Sequence, residues 1–173
     1  MRKIRKIISV IERGLIKATH YINHRFYMRL YIRYIKKIGI VLNGVPEYIH
    51  PSVIFDGKAY SQTFLGNHVV ISRDVLFLNH DYSLSCALRA MDGSESKAHW
   101  VKNIKVGNNV FIGARCLILP GTNIGNNCII GGGAVVKGCI PENSIVCGNP
   151  AKIIANTIDW AKQKKEKDDY LCG

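Results

Sequence analysis

The chain has 173 residues, 47% of them hydrophobic, and a formal net charge of +12; this length suits one domain with a real core and a small appendage. No uninterrupted apolar run reaches the roughly 20 residues of a bilayer span, which excludes a transmembrane helix. The six cysteines form no C-x-x-C and no secretory leader is recognisable, so the expected compartment is the reducing cytoplasm.

From Arg2 to Lys37 there are eleven Lys or Arg against one acid, Glu12, so most of the net charge sits in this segment. Ile4, Ile7, Ile8, Ile11 and Leu15 recur at helical spacing with Arg2, Lys3, Arg5, Lys6, Arg13 and Lys17 on the other face, which predicts a helix over 3–18. A second helix is expected over 23–38, with Arg25, Arg29 and Arg33 along one stripe and Tyr27, Leu30, Tyr31, Tyr34 and Ile38 along another. Residues 1–44 therefore read as a basic amphipathic arm. Its apolar face packs on the β-structure that follows or on a neighbouring subunit, or else lies on an anionic membrane; packing is favoured. Nucleic acid is not expected, because the rest of the chain has neither a recognised binding motif nor a basic face. His20 and His24 share a helix face but lack a third ligand nearby, so no metal site is expected.

Over residues 45–155 the pattern changes. Val106, Ile112, Ile118, Ile124, Ile130 and Val136 recur at every sixth position, a period that neither an α-helix nor a plain strand requires. An earlier phase holds Ile49 and Phe55 and, after a slip of four residues, Leu65, Ile71 and Phe77. A small or branched residue follows four places later, as in Val53, Ala59, Val69, Val75, Val110, Cys116, Thr122, Cys128 and Ala134. Hexads of this kind predict a parallel β-helix in which three hexads close one triangular coil and the aliphatic residues stack inward. Corners that need positive φ or close backbone approach are expected at Gly66, Asn67, Asn108, Asn109, Asn126 and Asn127. Cys116 and Cys128 fill the small inward slot as buried hydrophobes. Residues 156–173 read as a C-terminal helix or tail.

The period is lost between Phe77 and Ile104, and a long polar excursion from a strict coil marks residues 79–103 as the functional loop. It opens with Asn79, His80 and Asp81. This opening, the hexads, "VFIGARCLILPG", "IGGGAVV" and the closing "GNPAKII" together resemble the hexapeptide-repeat acyltransferases, on the branch of the galactoside, maltose, streptogramin and polysaccharide O-acetyltransferases. The likeness covers about residues 49–155.

The resemblance implies an all-β left-handed parallel β-helix, with the helical arm at one end and a short C-terminal helix at the other, assembled as a homotrimer with active sites between subunits. It implies acetyl-CoA as co-substrate, no metal, and transfer to a sugar hydroxyl, with a role expected in surface polysaccharide synthesis. His80 matches the general base, and the chemistry agrees, since a neutral imidazole can take a hydroxyl proton as oxygen attacks a thioester. No G-x-S-x-G offers an acyl-enzyme nucleophile, which favours direct transfer. Asp81 either holds the imidazole tautomer or binds the acceptor. Asn79 bonds the acceptor or the tetrahedral intermediate, or serves only as a turn. An oxyanion-binding amide is expected near Gly113 or Gly131–Gly133.

On the donor side the resemblance carries Ala114, Gly132 and Lys137 onto pantetheine contacts and Lys152 onto a CoA phosphate contact, while Phe111 stands where relatives carry Trp. Gly113 and Gly131 complete the expected donor set. Trp100 either anchors the loop or forms a platform for the acceptor sugar. A serine acetyltransferase-like enzyme and a non-catalytic trimeric scaffold are the alternatives, and location at the inner face of the membrane is an expectation attached to the arm. A γ-class carbonic anhydrase is disfavoured because His50, His68, His80 and His99 show no zinc-binding spacing.

Overall fold

The computed structural model describes residues 2–57, 59–95 and 97–167, with the side chains of residues 2–9 outside the description. Cys172 and the last part of the expected tail also lie outside it. Two helices come first, α1 (Arg2–Thr19) and α2 (His24–Ile38). Asn23 starts α2 by accepting a hydrogen bond from the Phe26 N–H at 2.9 Å, and Gly39, at φ 113°, ends it in the left-handed conformation.

The chain then winds through four full coils and part of a fifth. The first comprises β1 (Val41–Leu42), β2 (Tyr48–Ile49) and β3 (Ile54–Phe55), and the second β4 (Thr63–Leu65), β5 (Val70–Ile71) and β6 (Leu76–Phe77). An excursion follows, built from β7 (His80–Asp81), α3 (Ser83–Asp92) and β8 (Trp100–Val101). Winding resumes with β9 (Ile104–Val106), β10 (Phe111–Ile112) and β11 (Leu117–Ile118), then β12 (Asn123–Ile124), β13 (Ile129–Ile130) and β14 (Val135–Val136). The last turn holds β15 (Cys139–Ile140) and β16 (Ser144–Cys147), after which β17 (Lys152–Asn156) runs back antiparallel to β16 and leads into α4 (Thr157–Glu166).

Three parallel sheets form the faces of the prism: β1-β4-β9-β12-β15, β2-β5-β10-β13-β16 with β17 added, and β3-β6-β11-β14. Their register explains the hexads. Ile49, Ile71, Ile112, Ile130 and Val146 stack in one column, Phe55, Phe77, Ile118 and Val136 in another, and both columns are buried. Burial contributes roughly 1.5–3 kcal/mol for each such side chain. Cys116 and Cys128 are buried as expected, and burial pushes both thiols above their ordinary pKa.

Two expectations are corrected. The first coil begins at Val41, ahead of residue 45, because Leu42 pairs with Leu65; the seven-residue step from Leu42 to Ile49 hid the phase. Of the expected corner residues, Asn109 and Asn127 adopt positive φ and Gly66 makes the expected close approach, since a Cβ there would collide with the Gly107 oxygen, whereas Asn67, Asn108 and Asn126 act instead through their side chains. Asn108 Oδ1 accepts the Asn67 N–H and Asn126 Oδ1 the Asn108 N–H, each at 2.8 Å, so one carboxamide pins the coil beside it.

Helix α2 covers the first coil. Tyr27, Met28, Tyr31, Tyr34 and Ile35 are buried in the same cluster as Ile49 and Val53, and the Tyr27 hydroxyl donates to the Ile49 carbonyl at 2.7 Å. Helix α1 rests on α2 through buried Ile16 and the ion pair of Glu12 with Lys37 at 2.7 Å. The predicted packing face of α1 is overturned for its described residues: Ile11 and Leu15 point to solvent, 57% and 67% exposed, and the helix packs by its Glu12–Ile16 side.

Candidate active site

The slip in the hexads after Phe55 makes a corner. Asp56 follows β3, and the 3-10 turn Tyr60–Gln62 fills the extra length before β4. One coil further on, the chain leaves the prism at the same corner, because β3 and β6 pair in register. The second departure therefore stacks on the first, and Asp56 faces Asn79 and His80.

Asp56 is buried, its side chain 4% exposed, yet its Oδ2 is well satisfied. It accepts the backbone N–H of Asn79 at 3.2 Å and of His80 at 3.1 Å, and it bonds His80 Nδ1 directly. A carboxylate accepts only, so the imidazole proton resides on Nδ1 and Nε2 carries the lone pair. Tyr82 stands edge-on to His80, with ring centroids 5.5 Å apart, and stacks on His99. The His80 side chain is 22% exposed, enough for a small group to reach it.

Asp56 is the candidate site residue that sequence reasoning missed. The available signal was an acid placed at the slip, a site that stacking brings beneath the loop exit. Asp81 does not take the orienting role: its carboxylate accepts the Ser83 N–H at 2.7 Å, and its pKa is held low first by that bond and then by the Ser83 hydroxyl, with Lys137 and the Trp100 indole adding smaller effects. Asn79 is corrected too. It is fully buried, its Nδ2 donates to the Gln62 and Lys102 carbonyls, each at 3.1 Å, and its Oδ1 accepts the Thr63 hydroxyl at 2.9 Å. Both amide hydrogens are committed, so Asn79 clips the loop to the coil and has none left to donate to an acceptor.

The hairpin of β7 and β8 sets Asp81 opposite Trp100. These two, with Lys102, Leu119, Pro120 and Lys137, line a small pocket of about 60 Å³. Trp100 is 45% exposed, with the Lys102 ammonium 5.0 Å from its ring centroid.

The remaining predicted residues lie on a different edge. Gly113–Ala114 and Gly131–Gly132 occupy corresponding corners of successive coils, following β10 and β13, and Phe111 is exposed on β10. A Cβ on Gly113 would sit 2.5 Å from the Gly132 nitrogen, so only glycine allows this approach. The amides of Gly113, Gly131 and Gly133 are bonded to carbonyls of adjacent coils at 2.7–2.8 Å, which removes them as oxyanion donors, whereas those of Ala114 and Gly132 make no backbone bond among the described residues. Face β3-β6-β11-β14 separates this edge from His80. Lys137 stands with Asp81 on the His80 edge, and Lys152 is exposed on β17. Among the described residues no group of His, Cys, Asp and Glu is arranged to hold a metal. His20 instead packs edge-on against Tyr27 and His50.

The chain thus combines a triangular coil of hexads with one loop that carries a carboxylate-oriented histidine, and residues 103–138 match the family model for bacterial transferase hexapeptide (six repeats). Protein CapG of Staphylococcus aureus is 33% identical over 136 residues, covering 79% of this chain and 77% of that protein. The putative lipopolysaccharide biosynthesis O-acetyl transferase WbbJ of Escherichia coli K12 is 47% identical over 51 residues, 30% of this chain and 26% of that protein. Galactoside acetyltransferase in complex with coenzyme A has a similar fold, with a TM-score of 0.55 at 21% identity, over 89% of this chain and 83% of that one. The chain belongs to the bacterial hexapeptide-repeat transferase family, and its coil is a left-handed parallel β-helix. It spans between about a quarter and a half of the length of the first curated relatives it matches.

Proposed function

We propose that this protein is an acetyl-CoA-dependent O-acetyltransferase acting, in the cytoplasm, on a sugar hydroxyl in surface polysaccharide synthesis, by direct transfer. The observation that carries this reading is the Asp56–His80 pair, a buried carboxylate fixing the tautomer that leaves Nε2 basic. Nε2 takes the hydroxyl proton as the acceptor oxygen bonds to the thioester carbonyl carbon. The carbon–sulfur bond then breaks, the imidazolium returns the proton to the leaving thiolate, and an acetyl ester and a free thiol result. Asp56 stays ionised throughout and offsets the transient imidazolium charge.

The corner of Gly113, Ala114, Gly131 and Gly132 suits the donor's pantetheine arm, because it lacks bulk and offers two amides without backbone acceptors among the described residues. Phe111 gives an apolar contact beside it, the Ala114 or Gly132 N–H meets the developing oxyanion, and Lys152 attracts CoA phosphate. Asp81, Trp100 and Lys137 form the acceptor side. Since the glycine edge and the His80 edge of one chain lie apart, a homotrimer that sets the glycine edge of one subunit against the His80 edge of the next completes the site. Outward-facing Ile54, Leu76, Leu117 and Val135 supply apolar surface for that contact. The name of WbbJ supports a polysaccharide-related acceptor.

A thiol-release assay with acetyl-CoA and monosaccharides, nucleotide sugars, oligosaccharides and serine tests the reading. Turnover is expected on a sugar and not on serine, with His80→Ala lowering kcat at least ~10²-fold while acetyl-CoA still binds. Turnover confined to serine, or near-normal kcat in that variant, overturns it.

A further inference from the structure

The arm separates two surfaces that the sequence left merged. Helix α2 spends its apolar stripe on the coil, burying Tyr27, Tyr31, Tyr34 and Ile35, while Arg25, Arg29 and Arg33 stay exposed. Helix α1 and the turn after it do the opposite. Val10, Ile11 and Leu15 are 71%, 57% and 67% exposed, and Tyr21 and Ile22 more so. Gly14 and Ala18 continue the same outer side, so the stripe is apolar along the described length of α1. The arm's one acid, Glu12, is bonded to Lys37, so the arm as a whole keeps a large excess of Lys and Arg.

We infer that this helical hairpin docks the protein on an anionic lipid bilayer, with the outer stripe of α1 and the Tyr21–Ile22 turn entering the headgroup boundary and the arm's cations meeting lipid phosphates. An interfacial helix needs both of these features together: an exposed apolar face to insert and a basic surround. Charge complementarity selects the occupant. A second copy would bring an equally cationic arm against this one, whereas an anionic leaflet carries the opposite sign. No described helix is long and apolar enough to cross a membrane, so the contact lies in the plane of the surface. Because Tyr27 and Ile35 fix α2 to the coil, docking holds the whole prism at the bilayer. The inference is independent of the chemistry assigned to His80.

The test is co-sedimentation of the full chain with phosphatidylcholine vesicles, with and without phosphatidylglycerol, at low and high salt. Binding is expected only with phosphatidylglycerol and is expected to weaken as salt rises. Replacing Arg25, Arg29 and Arg33 by Gln should weaken it by about two orders of magnitude, near a factor of five per basic residue. The triple variant Val10→Ser, Ile11→Ser, Leu15→Ser should reduce binding at every salt concentration, with thermal midpoint and sugar turnover unchanged because these side chains touch neither core nor site. Equal binding to neutral and anionic vesicles, or no binding to either, overturns the inference. So does a fall in oligomer mass, measured by sedimentation velocity, in the serine variant, which would give the stripe to a second copy of the chain. Failure of sugar turnover in the wild-type protein would strike the proposed chemistry and leave this result untouched.

Discussion

Asp56 and His80 are separated by 24 positions in sequence and by one coil in space, and the contact between them gathers three donors onto a single carboxylate oxygen: the His80 ring, the His80 amide and the Asn79 amide. One atom therefore sets both the tautomer of the His80 ring and the path of the loop that carries it. Replacing Asp56 by Asn keeps the shape but presents an amide where an acceptor is needed. The expected result is a loss in kcat of at least ~10²-fold with acetyl-CoA affinity retained, read by steady-state kinetics beside a direct binding titration. A variant that loses donor binding in proportion would assign Asp56 to the fold alone.

Asn79 is expected to behave differently. Asn79→Ala strands the buried Thr63 hydroxyl and two part-buried carbonyls, a change that costs about 2–4 kcal/mol. Thermal and denaturant unfolding should show that loss, and whatever enzyme remains folded should keep a kcat well above that of His80→Ala.

Ile118 stacks between Phe77 and Val136 with no exposed surface. Ile118→Ala should cost about 2–5 kcal/mol, and Ile118→Asp, which buries an unpaired charge, should give insoluble or unfolded protein by circular dichroism. A folded aspartate variant with an unchanged midpoint would refute the inward column.

Gly113→Ala places a methyl group against the Gly132 nitrogen. Because these two residues line the proposed donor corner, the variant should raise the KM for acetyl-CoA more than that for the acceptor, alongside a lower melting temperature. Equal effects on both substrates would separate this edge from the donor.

The seam between arm and coil is expected to respond to acid. His50 lies against His20, with Ser52 at its Nδ1, and its pKa is lowered first by burial and then by His20, with Arg73 and Lys17 adding to the effect and Asp74 opposing it. A depressed pKa in the folded state means that the unfolded chain takes up the proton first as pH falls. The contribution is therefore complete above the ordinary histidine pKa of about 6.5 and declines below it. The midpoint should drop from neutral pH to pH 5 more steeply in the wild type than in His50→Gln.

The coil was legible because its signal is local and repeated: every eighteen residues the chain returns to the same column, as from Ile112 to Ile130, so each aliphatic reports its own position. Asp56 was not, since a lone acid acquires meaning only once the coils on either side of a slip are stacked in register. Asn79 was misjudged for a related reason, as a motif names a residue type without showing what its amide already holds. In α1, Ile11 and Ile16 are equally apolar, and only the approach of α2 decides which of them is covered.

Strand β17 has a consequence beyond the geometry of its own sheet. A stack of parallel rungs is an open template, and an unguarded terminal rung invites the first rung of another molecule to continue it. Here the growing end is turned back on itself: β17 pairs antiparallel with β16, with an irregular register between Ile145 and Val146, and the opposite end is lidded by α2. The two seals differ in kind, a reversed strand over one face at one end and a helix over the first coil at the other, so the two ends do not match and end-to-end fibre growth is hindered while the flanks stay free for closed assembly.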